Sequence, residues 1–391
     1  MSSRKRSYTK RTWTTSKGIE RTAFVVDFVD ASGKRCRRQF DSKREADTFR
    51  VGTEGQLRAG TFRGDAAKIT AKEATELYLE YCEGRHQRCE RMTRHNLNVY
   101  RGIARKHVLH PEHGIGGITL AQLSASQITK FKDRLRTAGV SVSITRKSVA
   151  FVKRTLDHAI SQDFVATNAA VGVKVIGRRD EATKKVTPPT KEHVKALLGA
   201  ADSDLRTKML VAAATGVRAG ELWALRWRHI DFGACEVTVE TRVDAYGDED
   251  TTKTAAGVRV VPLGTATVQT LREWRVKSKF KKADDLVFPN TQGGYTSHHN
   301  FLRRRYNALF GSMATKCQED DSKAPAPPKT NWHAFRHYAI STWIEAGLKP
   351  KTVQTFAGHS SLSVTMDRYG HLFPSDDHKT AMDSIADALG A

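Results

Sequence analysis

The sequence predicts a multidomain α+β chain with three parts. A short strand-turn-strand pattern followed by one helix fills residues 1–63. Four helical patterns, each starting at or near a Ser or Thr, fill 64–178, and a mainly helical segment interrupted by a small antiparallel sheet fills 179–391. Apolar spacing of two residues marks the strands, and spacing of three and four marks the helices.

In the first part, β-branched and apolar residues dominate from Thr22 to Val29. Ala31-Ser32-Gly33-Lys34 reads as a turn, and Arg35 to Phe40 returns as a second strand. A short strand around Trp13 completes a three-stranded sheet. Ser42-Lys43-Arg44-Glu45 has the form of a capping box that opens a helix carrying Ala46, Phe49 and Leu57. The return strand holds Arg35, Arg37 and Arg38, which places cations on both faces. Such a strand either enters a nucleic-acid groove or is a solvated edge protected by charge.

After a linker at 61–69, Thr70-Ala71-Lys72-Glu73 caps a helix with Leu77, Tyr78 and Tyr81 on one face. A second pattern starts near Thr93 and carries Leu97, Tyr100, Ile103 and Ala104. Ser124-Ala125-Ser126-Gln127 caps a third, with Ile128, Phe131 and Leu135 inward. The fourth starts near Ser143 with Ile144, Phe151, Val152, Leu156 and Ile160. Its polar side carries Arg146, Lys147, Lys153 and Arg154, which is either a duplex-binding stripe or a solvated face.

Residues 177–191, with Pro188 and Pro189, read as a linker. Helices follow at about 191–200 and 204–215. Next comes Thr215-Gly216-Val217-Arg218-Ala219-Gly220-Glu221-Leu222, continuing as a helix to Trp227. Val237 and Val239, a turn at Gly247 and Val258 to Pro262 form a meander, with Lys253 on or beside a hairpin. Further helices cover about 265–280 and 297–310. Residues 312–331 are a polar, proline-containing loop. His333-Ala334-Phe335-Arg336-His337 then opens a helix, Gly358-His359-Ser360-Ser361 follows, and Tyr369 lies ten positions beyond His359. A last helix carries Ala381, Met382, Ile385 and Leu389.

The chain has 391 residues, a formal net charge of +23 and a pI near 9.9. Residues 1–180 carry +18 of that charge. Such a field favours a polyanion, either nucleic acid or an acidic membrane surface. The five cysteines, Cys36, Cys82, Cys89, Cys235 and Cys317, are scattered and form no CxxC pair. They fit a reducing cytosol rather than a disulfide framework or a zinc site. No run of 18 apolar residues spans a membrane, and the basic N-terminus has no apolar segment behind it to make a secretion signal. The sequence shows no GxxxxGK[ST] loop, no HExxH, no internal repeat and no acidic cluster for magnesium. His333 and His337 are spaced like metal ligands, but no third ligand accompanies them, so no metal is expected.

These residue types suit phosphoryl transfer by a tyrosine. Two guanidiniums, Arg218 and Arg336, can hold the nonbridging oxygens of a phosphodiester. Lys253 is a candidate acid for the leaving oxygen. His333 is a candidate to take the phenol proton, and His359 to bond the phosphate. Glu221, one turn from Arg218, would orient guanidiniums.

In order, Thr-Gly-x-Arg-x-x-Glu-Leu, the hairpin lysine, His-x-x-Arg-His, Gly-His-Ser-Ser and the tyrosine resemble the tyrosine recombinase family, in particular phage-type integrases. The resemblance covers about 190–375 and carries the family's catalytic set onto Arg218, Lys253, His333, Arg336, His359 and Tyr369, with Glu221 in support. The family's usual Leu-Gly-His reads Ala357-Gly358-His359 here. By the same resemblance, 64–178 is a core-binding helical domain and 1–63 an arm-binding domain, with Arg35, Arg37, Arg38, Arg146, Lys147, Lys153 and Arg154 toward DNA.

The resemblance implies cleavage and rejoining through a 3′-phosphotyrosyl bond, without metal, ATP or other cofactor. It further implies a homotetramer on core and arm attachment sites, in the cytoplasm of a bacterial host and associated with its nucleoid. A host DNA-bending protein and an excisionase-type directionality factor are the implied accessory partners. The final helix would dock on a neighbouring protomer or in cis. A type IB topoisomerase-like enzyme, a chromosome-dimer resolvase and a non-enzymatic DNA-binding regulator are the alternatives.

Overall fold

The computed structural model describes residues 8–29, 35–58, 63, 66, 68–177, 186–251, 257–319, 327–373 and 378–389. The chain divides into two compact units, Met1–Thr183 and Lys184–Ala391. That division falls inside the expected linker at 177–191.

The first unit begins with an antiparallel sheet ordered β1 (Thr9–Thr14), β2 (Glu20–Val29), β3 (Arg35–Phe40), followed by helix α1 (Lys43–Arg58). The expected turn at 31–34 lies outside the described residues. The Ser42 hydroxyl accepts from the Glu45 N–H at 3.2 Å and starts α1. Phe49 on α1 packs on Phe28 and Phe40, with ring centroids 5.8 and 5.0 Å away. Residues alternate in direction along a strand. The register Asp27↔Arg37 and Trp13↔Arg21 therefore puts Arg11, Trp13, Arg21, Arg35 and Arg37 on the face away from α1.

Four helices follow: α2 (Ala71–Gln87), α3 (Arg94–Ile103), α4 (Ala125–Thr137) and α5 (Val142–Ser161). The Thr70 hydroxyl accepts from Glu73 N–H while the Glu73 carboxylate accepts from Thr70 N–H, a complete capping box. α3 runs on through a π-helical turn, Ala104–Val108. Tyr78, Cys82, Leu97, Ile128, Phe131, Leu135, Phe151 and Leu156 form one core. Truncating a fully buried ring such as Phe131 or Phe151 costs roughly 3–5 kcal/mol. The inward face of α2 differs from the expected one. Tyr78 is buried, but Leu77 and Tyr81 are 37% and 44% exposed, and small residues Ala71, Ala74 and Thr75 take their place. Close approach to α5 favours those small side chains.

The second unit starts with α6 (Lys191–Ala200), α7 (Ser203–Thr215) and α8 (Ala219–Ala224). The expected helix to Trp227 ends at Ala224. Beyond it the Leu225 carbonyl accepts from Val287 N–H, and Trp227 N–H donates to the Asp285 carbonyl, so the chain is held extended by an adjacent segment. The expected meander divides in two. Strands β4 (Ile230–Asp231) and β5 (Glu236–Val239) form one sheet with β8 (Arg259–Pro262), whereas β6 (Thr241–Val243) and β7 (Glu249–Thr251) form a separate hairpin between β5 and β8.

Helix α9 (Thr265–Lys277) follows. Next are α10 (His298–Phe301), a π-helical turn Leu302–Tyr306, and α11 (Asn307–Glu319). The expected loop at 312–331 is therefore helical as far as Glu319. Its prolines begin only at Pro325, and Leu309, Phe310 and Met313 anchor α11 in the core. The chain closes with α12 (Ala334–Glu345), α13 (Pro350–Ala357), α14 (Leu362–Tyr369) and α15 (His378–Ala388). No helix among the described residues is long and apolar enough to cross a membrane.

Candidate active site

Two left-handed glycines shape the site. α7 ends on Gly216 with φ +61°, where a Cβ would lie 2.9 Å from the Trp343 ring. α13 ends on Gly358, also with φ +61°. Their carbonyls accept from the two candidate guanidiniums. Arg336 Nη1 donates to the Gly216 carbonyl at 2.6 Å, and Arg218 Nη2 donates to the Gly358 carbonyl at 3.0 Å. Arg336 Nη2 also donates to the Ala357 carbonyl. Arg336 in the first turn of α12 is thus tied to both helix ends, and Arg218 at the start of α8 is tied to the end of α13.

Glu221 binds the Arg218 guanidinium and backbone N–H, each at 2.8 Å. On its other side it accepts from Arg259 Nη2 at 2.8 Å. Arg259 also donates to the Phe356 carbonyl at 2.7 Å and the Gly257 carbonyl at 3.0 Å. Burial alone would raise the Glu221 carboxyl, but the charge and hydrogen bond of Arg259, and then Arg218, hold it at about 2. Burial, and next the charge of Arg218, pull the Arg336 guanidinium down to about 9, so it is still a cation at neutral pH. Arg218 and Arg259 thus share one carboxylate, whose charge Arg336 also feels, and the three guanidiniums leave an excess of positive charge that an anion would offset.

His359 directly follows Gly358. Its Nδ1 is hydrogen-bonded to the Thr365 hydroxyl at 2.9 Å, and Gln354 Nε2 donates to its carbonyl at 3.1 Å. Tyr369, at the end of α14, is 1% exposed, and its ring lies parallel to His359 with centroids 6.2 Å apart. The Tyr369 hydroxyl lies 2.5 Å from Nδ1 of His337. Among the described residues His333 has no hydrogen bond to that hydroxyl; it packs edge-on against the His337 ring at 4.7 Å. Burial, then His337 and Arg336, push His333 down to about 4, and burial, then Arg336 and Arg218, push His359 to about 3; burial, then Arg336 and Arg368, lower His337 as well. All three imidazoles are neutral at neutral pH. Burial raises the Tyr369 phenol, with Arg336 and Arg368 opposing.

Residues 189–376 match the phage integrase family model. A curated tyrosine recombinase XerC-like protein of Caldanaerobacter subterraneus subsp. tengcongensis is 25% identical over 367 residues, covering 88% of this chain and 90% of the relative. The matched segment is a phage integrase family domain, and the matches together support a tyrosine recombinase.

The recombinase shares its fold with the Tn1549 transposon integrase in complex with a circular intermediate DNA. The TM-score is 0.63 at 19% identity, covering 81% of this chain and 100% of that one. It also resembles a lambda integrase tetramer bound to a Holliday junction, with a TM-score of 0.52 at 16% identity, covering 90% and 95%.

Arg218, Glu221, His333, Arg336, His359 and Tyr369 of the recombinase all lie in this one region of the second unit. Lys253 lies outside the described residues, between Thr251 of β7 and Gly257. Among the described residues no group of three His, Cys, Asp or Glu is arranged to hold a metal. The sequence reading passed over Arg259 and Thr365, and it weighed His337 only as a metal ligand beside His333. Arg259 had a readable signal: it shares the inward face of its strand with Val261, where a cation needs a partner.

The expected DNA-facing residues lie in the first unit. Arg35 and Arg37 both pair with Asp27, at 3.6 and 2.8 Å. Arg38 points the other way, its guanidinium 5.0 Å from the Phe49 ring centroid. Arg146, Lys147, Lys153 and Arg154 are exposed along α5. Arg146 donates to the Val175 carbonyl at 3.2 Å, and Arg154 sits 5.7 Å from the Tyr100 ring.

Proposed function

We propose that the recombinase cuts duplex DNA at defined sites by attack of Tyr369 on a backbone phosphate, and so integrates and excises a phage or other mobile element. The supporting observation is the convergence of Arg218, Arg336, His359 and Tyr369 on the two helix ends at Gly216 and Gly358. Arg218 and Arg336 hold the two nonbridging oxygens, where negative charge grows in the transition state. His359, its Nδ1 engaged by Thr365, presents Nε2 to the phosphate. His333, at the N-terminus of α12, adds a second imidazole contact to the same phosphate. Lys253 protonates the departing 5′ oxygen. The product is a 3′-phosphotyrosyl bond and a free 5′ hydroxyl. That bond keeps the energy of the phosphodiester, so a 5′ hydroxyl from a partner strand can reseal it without ATP.

The first unit supplies DNA affinity. In this reading residues 64–178 bind the core site through Arg146, Lys147, Lys153 and Arg154. Residues 1–63 bind an arm site. Arg35 and Arg37 contribute there alongside Arg11, Trp13 and Arg21 of the same sheet face, while Arg38 flanks it from the opposite side. The lambda integrase tetramer on a Holliday junction supports a four-protomer assembly for this fold. Met382 and Ile385 on α15, and Leu389 just past its end, are 64%, 52% and 78% exposed, an apolar face suited to a neighbouring protomer. A directionality factor and a DNA-bending protein would act on that assembly in a bacterial cytoplasm.

The test is to map Tyr369–DNA adducts across a host genome that carries the element. Adducts confined to paired element–host junctions are expected. Adducts scattered without sequence preference would favour a topoisomerase-like enzyme instead.

A further inference from the structure

We infer that His337 takes the proton of the Tyr369 hydroxyl as that oxygen attacks phosphorus; this rests on Tyr369 being the nucleophile. His337 Nδ1 and the Tyr369 hydroxyl lie 2.5 Å apart, with ring centroids at 5.8 Å. A general base must lie within such reach of the proton it removes. His333 sits one helical turn away, edge-on to His337, and has no hydrogen bond to the phenol among the described residues.

His337 is built into the frame that holds the reacting groups. It follows Arg336 on α12, and Arg336 is anchored to Gly216 and Ala357. Tyr369 comes from the end of α14 and is buried, so the contact is made inside the protein rather than at its surface. The titratable groups facing His337 are His333 and Arg336 on α12, and Arg368 and Tyr369 on α14. Burial first and then the two guanidiniums favour the neutral ring. A neutral ring offers a lone pair at Nδ1 when its own proton is on Nε2. A DNA phosphate entering between Arg218 and Arg336 offsets the charge of Arg336 and makes His337 a stronger base as substrate binds.

The step balances. The Tyr369 O–H bond breaks, its proton passes to His337 Nδ1, and its oxygen forms the bond to phosphorus. The bond from phosphorus to the 5′ oxygen breaks, and that oxygen takes a proton from a separate acid. On resealing, the His337 imidazolium returns its proton to the tyrosine oxygen while the incoming 5′ hydroxyl gives its own back to the conjugate base of that separate acid. His333 is thereby released from the base role and left to contact the phosphate.

The experiment measures the rate of covalent adduct formation on a suicide core-site duplex, with full-length protein, from about pH 6.5 to about pH 9.5. His337→Ala should slow the reaction about 100-fold or more near neutrality. Its rate should climb with hydroxide where the wild type is flat, and added imidazole should restore part of the loss. His337→Gln should behave likewise without the imidazole rescue while binding the duplex normally, which separates chemistry from folding. A pH profile parallel to the wild type with no imidazole rescue would overturn the inference. So would hydroxide dependence in His333→Ala in place of His337→Ala. If the wild type forms no adduct at Tyr369, the failure lies in the proposed function itself.

Discussion

Arg259 and Glu221 form a buried ion pair at 2.8 Å, with side chains 1% and 3% exposed. Glu221 also grips Arg218, so the strand carrying Arg259 is locked to the start of α8, where the first candidate guanidinium lies. Arg259 in turn holds the Phe356 carbonyl on α13, two residues before Gly358. One carboxylate thus sets the spacing of β8, α8 and α13 around the site.

That pair predicts a pH dependence of stability. The Glu221 carboxyl lies at about 2 in the fold against an ordinary 4.5. A depressed folded value stabilises the protein above the unfolded value, and the contribution is lost as pH falls from about 4.5 toward about 2. The gap corresponds to about 3 kcal/mol. Urea unfolding at stepped pH should show this loss in the wild type and lack it in Glu221→Gln. Arg259→Met, which leaves Glu221 buried with only Arg218, should cost about 3–5 kcal/mol near neutral pH. An unchanged urea midpoint in Arg259→Met would mean that the pair does not carry the site's spacing.

Lys253, outside the described residues, falls between β7 and β8 in sequence and is the candidate acid for the leaving 5′ oxygen. Lys253→Ala should cleave about 100-fold more slowly or worse. A substrate with sulfur at the 5′ bridging position should restore the rate, because sulfur leaves without a proton. A rate that stays low on the sulfur substrate would move the acid to another residue.

Removal of residues 1–63 should leave cleavage of a short core-site duplex intact, since the catalytic candidates all lie beyond residue 215. Recombination between full attachment sites should fall sharply, because a second DNA-binding domain raises the effective concentration at the weaker site. Arm-site binding by the full chain should weaken steeply with salt. Equal recombination by full-length and shortened protein would remove the arm-reading role from the basic sheet.

Most of this architecture was legible because local signals agreed with the tertiary ones. Ser42, Thr70, Thr93, Ser124 and Thr190 each cap a helix near where the sequence placed its start. The Arg218–Glu221 spacing, the His333–Arg336 pair and the His359–Tyr369 interval also fell in one site. The misreadings came where a distant segment overrides local preference. α8 stops at Ala224 because residues 285–287 capture its continuation, and no periodicity reports that pairing. Tyr81 and Leu77 satisfied a helical spacing, yet the packing surface is the small-residue stripe beside Tyr78. His337 was weighed as a metal ligand because its spacing to His333 was visible and its contact with Tyr369, 32 residues away, was not.

The most direct test of the account is to identify the residue joined to DNA. Full-length protein is trapped on a nicked suicide duplex in the presence of EDTA, digested, and the nucleotide-bearing peptide sequenced. The account predicts a single adduct on Tyr369 through a 3′ phosphate, formed without divalent metal. Tyr369→Phe should bind the duplex and form none. An adduct on another residue, or one that forms only with a divalent ion, would contradict it.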